Sequence, residues 1–126
     1  MQMSSMLLNP KLTGDIYSTS EVKTNKKWIN GKPIYRKVAN AQNITSQNST
    51  IGTVQNLDTL VKIYGNAYNS SFNQKYGIPN THQDIATYYI NALITNNTNI
   101  TLRFGSGYTG GFQYVSVIVE YTKTTD

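Results

Sequence analysis

Apolar and polar residues alternate most regularly near the C-terminal end of this chain. Between Phe112 and Thr122, Val115, Val117, Val119 and Tyr121 share one parity, and Tyr114, Ser116, Ile118 and Glu120 share the other. Successive strand residues point to opposite faces, so the first set is expected to meet a core. The second set is amphipathic enough to meet a neighbouring subunit. Ile100, Leu102 and Phe104 alternate in the same way with Thr101 and Arg103. Upstream, the run from Ile85 to Ile90 leads on to Leu93-Ile94-Thr95, and Asn96-Asn97-Thr98-Asn99 supplies turn residues between the two apolar runs. This pattern predicts a hairpin over 85–104.

A second hairpin is predicted over 27–38. Asn30-Gly31 stands between apolar runs, and both residues tolerate the positive φ of a type I′ turn. Pro33 cannot donate to a ladder and is expected at an edge or unpaired position. Residues 39–56, rich in Asn, Gln, Ser and Thr, read as a loop or weak strands. Residues 65–84, with Gly65, Gly77 and Pro79, read as a long connection. Leu57, Leu60, Val61 and Tyr64 fit a helical stripe, while Val61-Lys62-Ile63-Tyr64 before Gly65 fits a strand. The surrounding composition favours the strand. Residues 1–14 form an arm in which Met3, Met6, Leu7, Leu8 and Leu12 are apolar, and Pro10 and Gly14 prevent a long helix. Such an arm either packs on its own domain or docks on a partner.

Composition sharpens the picture to all-β. Thr, Val, Ile, Tyr, Phe and Trp make 49 of the 126 residues, whereas Ala, Leu, Glu and Met make 17. β-branched and aromatic side chains suit a pleated, half-buried surface, and a helical chain needs the second group. The length suits one domain. There is no cysteine, so no disulfide, thiol nucleophile or zinc-thiolate site is available. No apolar run reaches the roughly 18 residues of a membrane span, and residues 1–10 lack the basic and apolar regions of a signal peptide.

Candidate chemistry is sparse. His82, the single histidine, sits in Thr81-His82-Gln83-Asp84 with no nucleophile elbow in the sequence, and reads as a loop residue rather than a triad member. No carboxylate cluster has metal-ligand spacing. The glycine-rich run 105–111 lacks the Gly-Lys-Ser/Thr ending of a phosphate loop and is expected to turn a hairpin. Lys23, Lys26, Lys27, Lys32, Arg36 and Lys37 place six of eleven basic residues within fifteen positions, interleaved with Trp28 and Tyr35. A nucleic-acid backbone, an acidic protein lattice or an acidic glycan would suit such a patch. So would a solvated hairpin whose charges discourage edge pairing, and nucleic acid is not the expected partner. The five Asn-x-Ser/Thr sequons, at Asn43, Asn48, Asn69, Asn96 and Asn99, are what an Asn- and Thr-rich chain produces by chance.

Three stretches resemble one family. They are 16–37, which contains Trp28-Ile29-Asn30-Gly31-Lys32-Pro33-Ile34-Tyr35-Arg36-Lys37; 57–65, Leu57-Asp58-Thr59-Leu60-Val61-Lys62-Ile63-Tyr64-Gly65; and 118–126, ending Tyr121-Thr122-Lys123-Thr124-Thr125-Asp126. Together they resemble the C-terminal module of tailed-bacteriophage fibre proteins, which opens with a Trp-x-(Asp/Asn)-Gly-Lys-Pro-Ile-Tyr hairpin and closes with Tyr-Thr-Lys-Thr-Thr-Asp. The resemblance spans about residues 15–126. It implies a compact, jelly-roll-like antiparallel β-sandwich, usually trimeric, exposed on a virion, with no catalytic residues and no cofactor.

Only about fourteen residues precede the module, which leaves no shaft if the chain is whole. The expectation is therefore a non-enzymatic head fibre or capsid decoration. Met6, Leu7 and Leu8 would anchor it to a capsid or other virion protein, and it would contact the host surface. The alternative is the receptor- or carbohydrate-binding module of a tail fibre. In that case Tyr68, Tyr88 and Tyr108 would offer flat apolar faces to a glycan.

Overall fold

The computed structural model describes residues 16–81 and 87–126. The expectations for the arm, with Met6, Leu7 and Leu8, and for His82 lie outside the described residues. Nine strands are present: β1 (Val22–Lys27), β2 (Pro33–Ile44), β3 (Asn48–Thr53), β4 (Leu57–Asn69), β5 (Gln74–Ile78), β6 (Asn80–Thr81), β7 (Tyr89–Thr95), β8 (Asn99–Phe104) and β9 (Phe112–Lys123). No helix occurs among the described residues. The strands form two antiparallel sheets, β1-β2-β9-β4-β5 and β3-β8-β7-β6, packed together as a β-sandwich. This is the all-β architecture the composition predicts. β2 beside β9 and β3 beside β8 nest as in a jelly roll. The inner strands instead pair in sequence, β4 with β5 and β6 with β7.

The parity of β9 sets the core. Val115, Val117, Val119 and Tyr121 are buried between the sheets, and Ile100, Leu102 and Phe104 of β8 face them. Ile90, Val54, Leu57 and Phe112 complete the interior. β9 is the central strand of the large sheet and pairs with β2 on one side and β4 on the other, so its inward side chains are shielded from every direction.

The strands exceed their sequence limits in two places. β2 runs on to Ile44 and β3 follows within 39–56, the strand alternative of the two read there, and β4 continues to Asn69 with β5 and β6 following, where a long connection was expected. Polar residues such as Asn40 and Asn66 occupy outward positions in these strands. Asn40 pairs with Ser116, and Asn66 pairs with Ser116 from the other side. The inward neighbours Ala39 and Ala67 are small and buried. A strand with a solvated outer face and small inner residues carries little apolar signal.

Two turns differ in kind from expectation. In the β1–β2 turn only Gly31 has positive φ, at 84°, so the turn is not type I′. The Gly31 N–H donates to the Trp28 carbonyl at 2.9 Å, and Trp28 N–H donates to the Lys32 carbonyl at 2.9 Å. Pro33 opens β2 opposite Lys27, before pairing with β9 begins at Tyr35, so its missing N–H costs no ladder bond on that side. The glycine-rich run 105–111 is not a hairpin turn, because it carries the chain from β8 in one sheet to β9 in the other. Its glycines permit close backbone approach. A Cβ at Gly105 would lie 2.0 Å from the Thr87 carbonyl oxygen, and one at Gly111 would lie 1.9 Å from that of Ile44.

Candidate functional site

Asn69, fully buried at the end of β4, organises one end of the sandwich. Its Nδ2 donates to the carbonyls of Thr109 at 3.2 Å and Gly111 at 2.6 Å, and its Oδ1 accepts the Phe72 N–H at 2.8 Å. One amide therefore ties the β4–β5 turn to the crossover loop. Gln113 adds a second tie, accepting from Ser70 N–H at 2.6 Å and donating to the Gly110 carbonyl at 3.2 Å. Burial of Asn69 also removes it as a glycan acceptor in the folded chain.

These ties bring Phe72 and Tyr108 together with Tyr76 of β5 and Tyr88, just before β7. Tyr108, 5% exposed, is the hub. Its ring stands 5.3 Å from Tyr76, 5.4 Å from Tyr88 and 6.2 Å from Phe72, all edge to face, and 5.1 Å from Phe112. Edge-to-face pairing sets the positive ring edge against a negative face. Above Tyr108 lies a cleft of about 210 Å³, lined among the described residues by Phe72, Gln74, Tyr76, Asn80, Tyr88 and Tyr108. Burial pushes the Tyr76 and Tyr108 phenols above their ordinary pKa, with neighbouring tyrosines adding to the shift. Both therefore stay neutral hydrogen-bonding groups at physiological pH.

Of the three tyrosines singled out from sequence, Tyr88 and Tyr108 meet in this cleft and Tyr68 does not. Tyr68 points outward from β4, with its ring 6.3 Å from Tyr114 and its hydroxyl 3.1 Å from Asn73 Oδ1. Tyr68 and Tyr114 line an open depression of about 660 Å³ with Asn66, Ala67, Asn73 and Lys75. Sequence reasoning missed Phe72, Gln74 and Asn80 as cleft residues. The only signal for them was an aromatic residue in a polar run.

The outer face of the large sheet carries a buried ion pair. Arg36 Nε lies 2.9 Å from Glu120 Oε2, and the two side chains are 4% and 13% exposed. The Tyr17 ring covers the guanidinium at 4.3 Å, and Arg36 also donates to the Ile16 carbonyl at 3.2 Å. The basic cluster of the sequence is thus dispersed. Lys32 pairs with Asp58 at 2.7 Å, Lys37 donates to the Thr53 carbonyl at 2.8 Å, and Lys23, Lys26 and Lys27 stand exposed on β1 at the sheet edge. Tyr35 stacks on Tyr121 at 6.1 Å rather than offering a free face.

Among the described residues no group of three His, Cys, Asp or Glu side chains is arranged to hold a metal ion, and no helix is long and apolar enough to cross a membrane. The chain matches no protein-family model, no curated protein and no solved structure with which it was compared.

Proposed function

We propose that this chain is a non-enzymatic structural protein of a tailed-phage virion, a trimeric head fibre or capsid decoration exposed on the capsid surface. One observation carries the reading. The three stretches that resemble the fibre module are far apart in sequence and converge at one end of the large sheet. Lys32 of the first reaches Asp58 of the second at 2.7 Å and the Lys123 carbonyl of the third at 3.2 Å. Lys123 in turn pairs with Glu21 of the first at 2.9 Å, and the Tyr121 hydroxyl donates to the same carboxylate. The three phrases occupy neighbouring strands of one sheet and share one set of ion pairs, which supports reading them as parts of one module.

In this reading Met6, Leu7 and Leu8 anchor the module, because three adjacent large apolar side chains gain roughly 1.5–3 kcal/mol each on burial. A trimer presents three such arms together, so weak single contacts add up to lasting attachment. The test uses empty capsids of the encoding phage. The full chain is expected to sediment with them, and a chain lacking residues 2–12 is expected to stay folded and trimeric but remain in the supernatant. If the truncated chain still decorates capsids, or its trimer melts, the anchor is wrong. If the full chain ignores capsids, so is the head-fibre assignment.

A further inference from the structure

We propose that the cleft above Tyr108 binds a single uncharged pyranose ring, the terminal sugar of a neutral glycan. The cleft belongs to the end of the sandwich built by the β4–β5 turn and the crossover loop, and none of its described lining residues falls in the stretches that carry the fibre resemblance. The inference therefore stands independently of attachment to a particle.

Three properties select the ligand. The first is the walls. Phe72 is a large apolar side chain left 42% exposed at the mouth, beside half-buried Tyr76 and Tyr88. The faces of such rings carry negative potential, and the C–H groups of a pyranose present a weakly positive apolar surface to them. The second is the polar complement. Tyr76 donates its phenol proton to Gln74 Oε1 at 2.9 Å, which leaves the Gln74 amide nitrogen without a partner among the described residues. Asn80 likewise has no side-chain hydrogen bond there. Primary amides both donate and accept, which matches sugar hydroxyls that do the same.

The third property is charge. No charged side chain lines the cleft among the described residues. Among the described residues a carboxylate or phosphate would lose hydration without gaining a counter-charge. A quaternary ammonium would find rings but no carboxylate among them, on a chain whose net charge is +5. Size decides between one ring and a chain of rings. At about 210 Å³ the cleft is below the roughly 300 Å³ lower limit of sites for drug-sized ligands. An extended proline-rich peptide needs a longer groove than this.

Gly107 makes the site possible. A Cβ there would lie 2.5 Å from Tyr88 Cε1, so the loop backbone rests directly on the Tyr88 ring. Tyr88 is held between Gly107 and Tyr108, and its position defines one wall.

The test is an NMR titration of the full chain with the methyl glycosides of glucose, galactose and N-acetylglucosamine, with glucuronate, choline and a proline-rich peptide as comparators. At least one neutral glycoside is expected to shift the backbone amides of Phe72 and Tyr88 and the side-chain amides of Gln74 and Asn80, saturating in the millimolar range. Phe72→Ala, at the exposed mouth, and Asn80→Ala, at a half-buried position, are each expected to weaken binding about three- to tenfold, the worth of one stacking contact or hydrogen bond. Gly107→Ala is expected to weaken it by displacing Tyr88, while Lys26→Ala on β1 leaves it unchanged. The proposal is overturned if no neutral glycoside moves these signals far above millimolar concentration. It is equally overturned if choline, glucuronate or the peptide binds more tightly at the same residues, or if the signals of Tyr68 and Tyr114 move instead.

Discussion

Arg36 and Glu120 place opposite charges where the outer face of a sheet is covered by the Tyr17 ring. Removing one partner strands the other, and Arg36→Met is expected to cost about 3–5 kcal/mol. Arg36→Met combined with Glu120→Leu is expected to recover most of that loss, because an apolar pair of similar volume needs no charge desolvation. Urea denaturation of both variants decides it, and additive losses in the double variant would contradict the account. Tyrosines set the alkaline limit. Tyr35 is pushed up to about 12 by its hydrogen bond to Asp126 and then by burial, and Tyr64 is pushed up to about 12 by burial and then by the Tyr17 hydroxyl. Burial, with the Glu21 carboxylate, also raises Tyr121. An unfolded tyrosine titrates near 10, so above that pH the unfolded chain releases protons that the folded chain keeps. The stabilisation is complete below about pH 10 and is lost as pH rises towards 12. Urea midpoints are expected to hold steady from pH 7 to 9 and to fall by pH 11, less steeply in Tyr64→Phe. Parity made the inner residues legible from sequence, since Val115, Val117, Val119 and Tyr121 need only a period of two. It could not pair Arg36 with Glu120, because that contact depends on the β2–β9 register across 84 residues.

At the scale of elements, local closure separates what the sequence revealed from what it hid. The β7–β8 hairpin was legible because its turn, its alternation and its partner lie within a few residues, and Asn96 and Asn97 adopt the positive φ that such a turn requires. The crossover 105–111 was not legible. A hairpin and a change of sheet use the same glycines, and only distant pairing tells them apart. The cleft inherits that opacity, because Phe72 and Tyr108 meet through Asn69, whose three hydrogen bonds span turn and loop. Asn69→Ala is expected to destabilise the fold by about 2–4 kcal/mol, from three bonds near 1 kcal/mol each plus backbone groups left unpaired. A drop below 1 kcal/mol in chemical denaturation would mean that the loop is held by other contacts. β1 raises a different matter, because it is an edge strand of the large sheet. Lys23, Lys26 and Lys27 are exposed there, and charge on an open edge discourages pairing with another chain. Replacing all three with Thr is expected to leave the circular dichroism spectrum unchanged while light scattering grows with concentration. A triple variant as soluble as the parent would deny the lysines that role.

For the whole molecule, the question is what covers the outer face of the large sheet. The inner residues of β9 are consumed by the core, which leaves Tyr114, Ser116, Ile118 and Glu120 outward. Tyr114 is 60% exposed at the centre of its sheet, with Tyr68 opposite on β4. Ile118 lies between Val38 of β2 and Tyr64 of β4, whose ring carries the Lys62 ammonium at 4.5 Å. The Arg36 and Glu120 charges cancel, and Lys62 leaves the middle of the face with a single net positive charge among its tyrosines. In the proposed trimer this face is the natural contact between subunits, one part of it meeting a different part of the next copy as a closed ring requires. Sedimentation at micromolar concentration is then expected to give about three times the 14.1 kDa chain mass. Ile118→Arg sets a cation on the same patch of each copy, where burial without a partner is expensive, and it is expected to yield a folded monomer. Lys26→Glu, on β1 at the edge, is expected to remain trimeric. A wild-type chain that sediments as a monomer removes the trimer itself. A trimer that survives Ile118→Arg keeps the assembly but moves its interface away from β9.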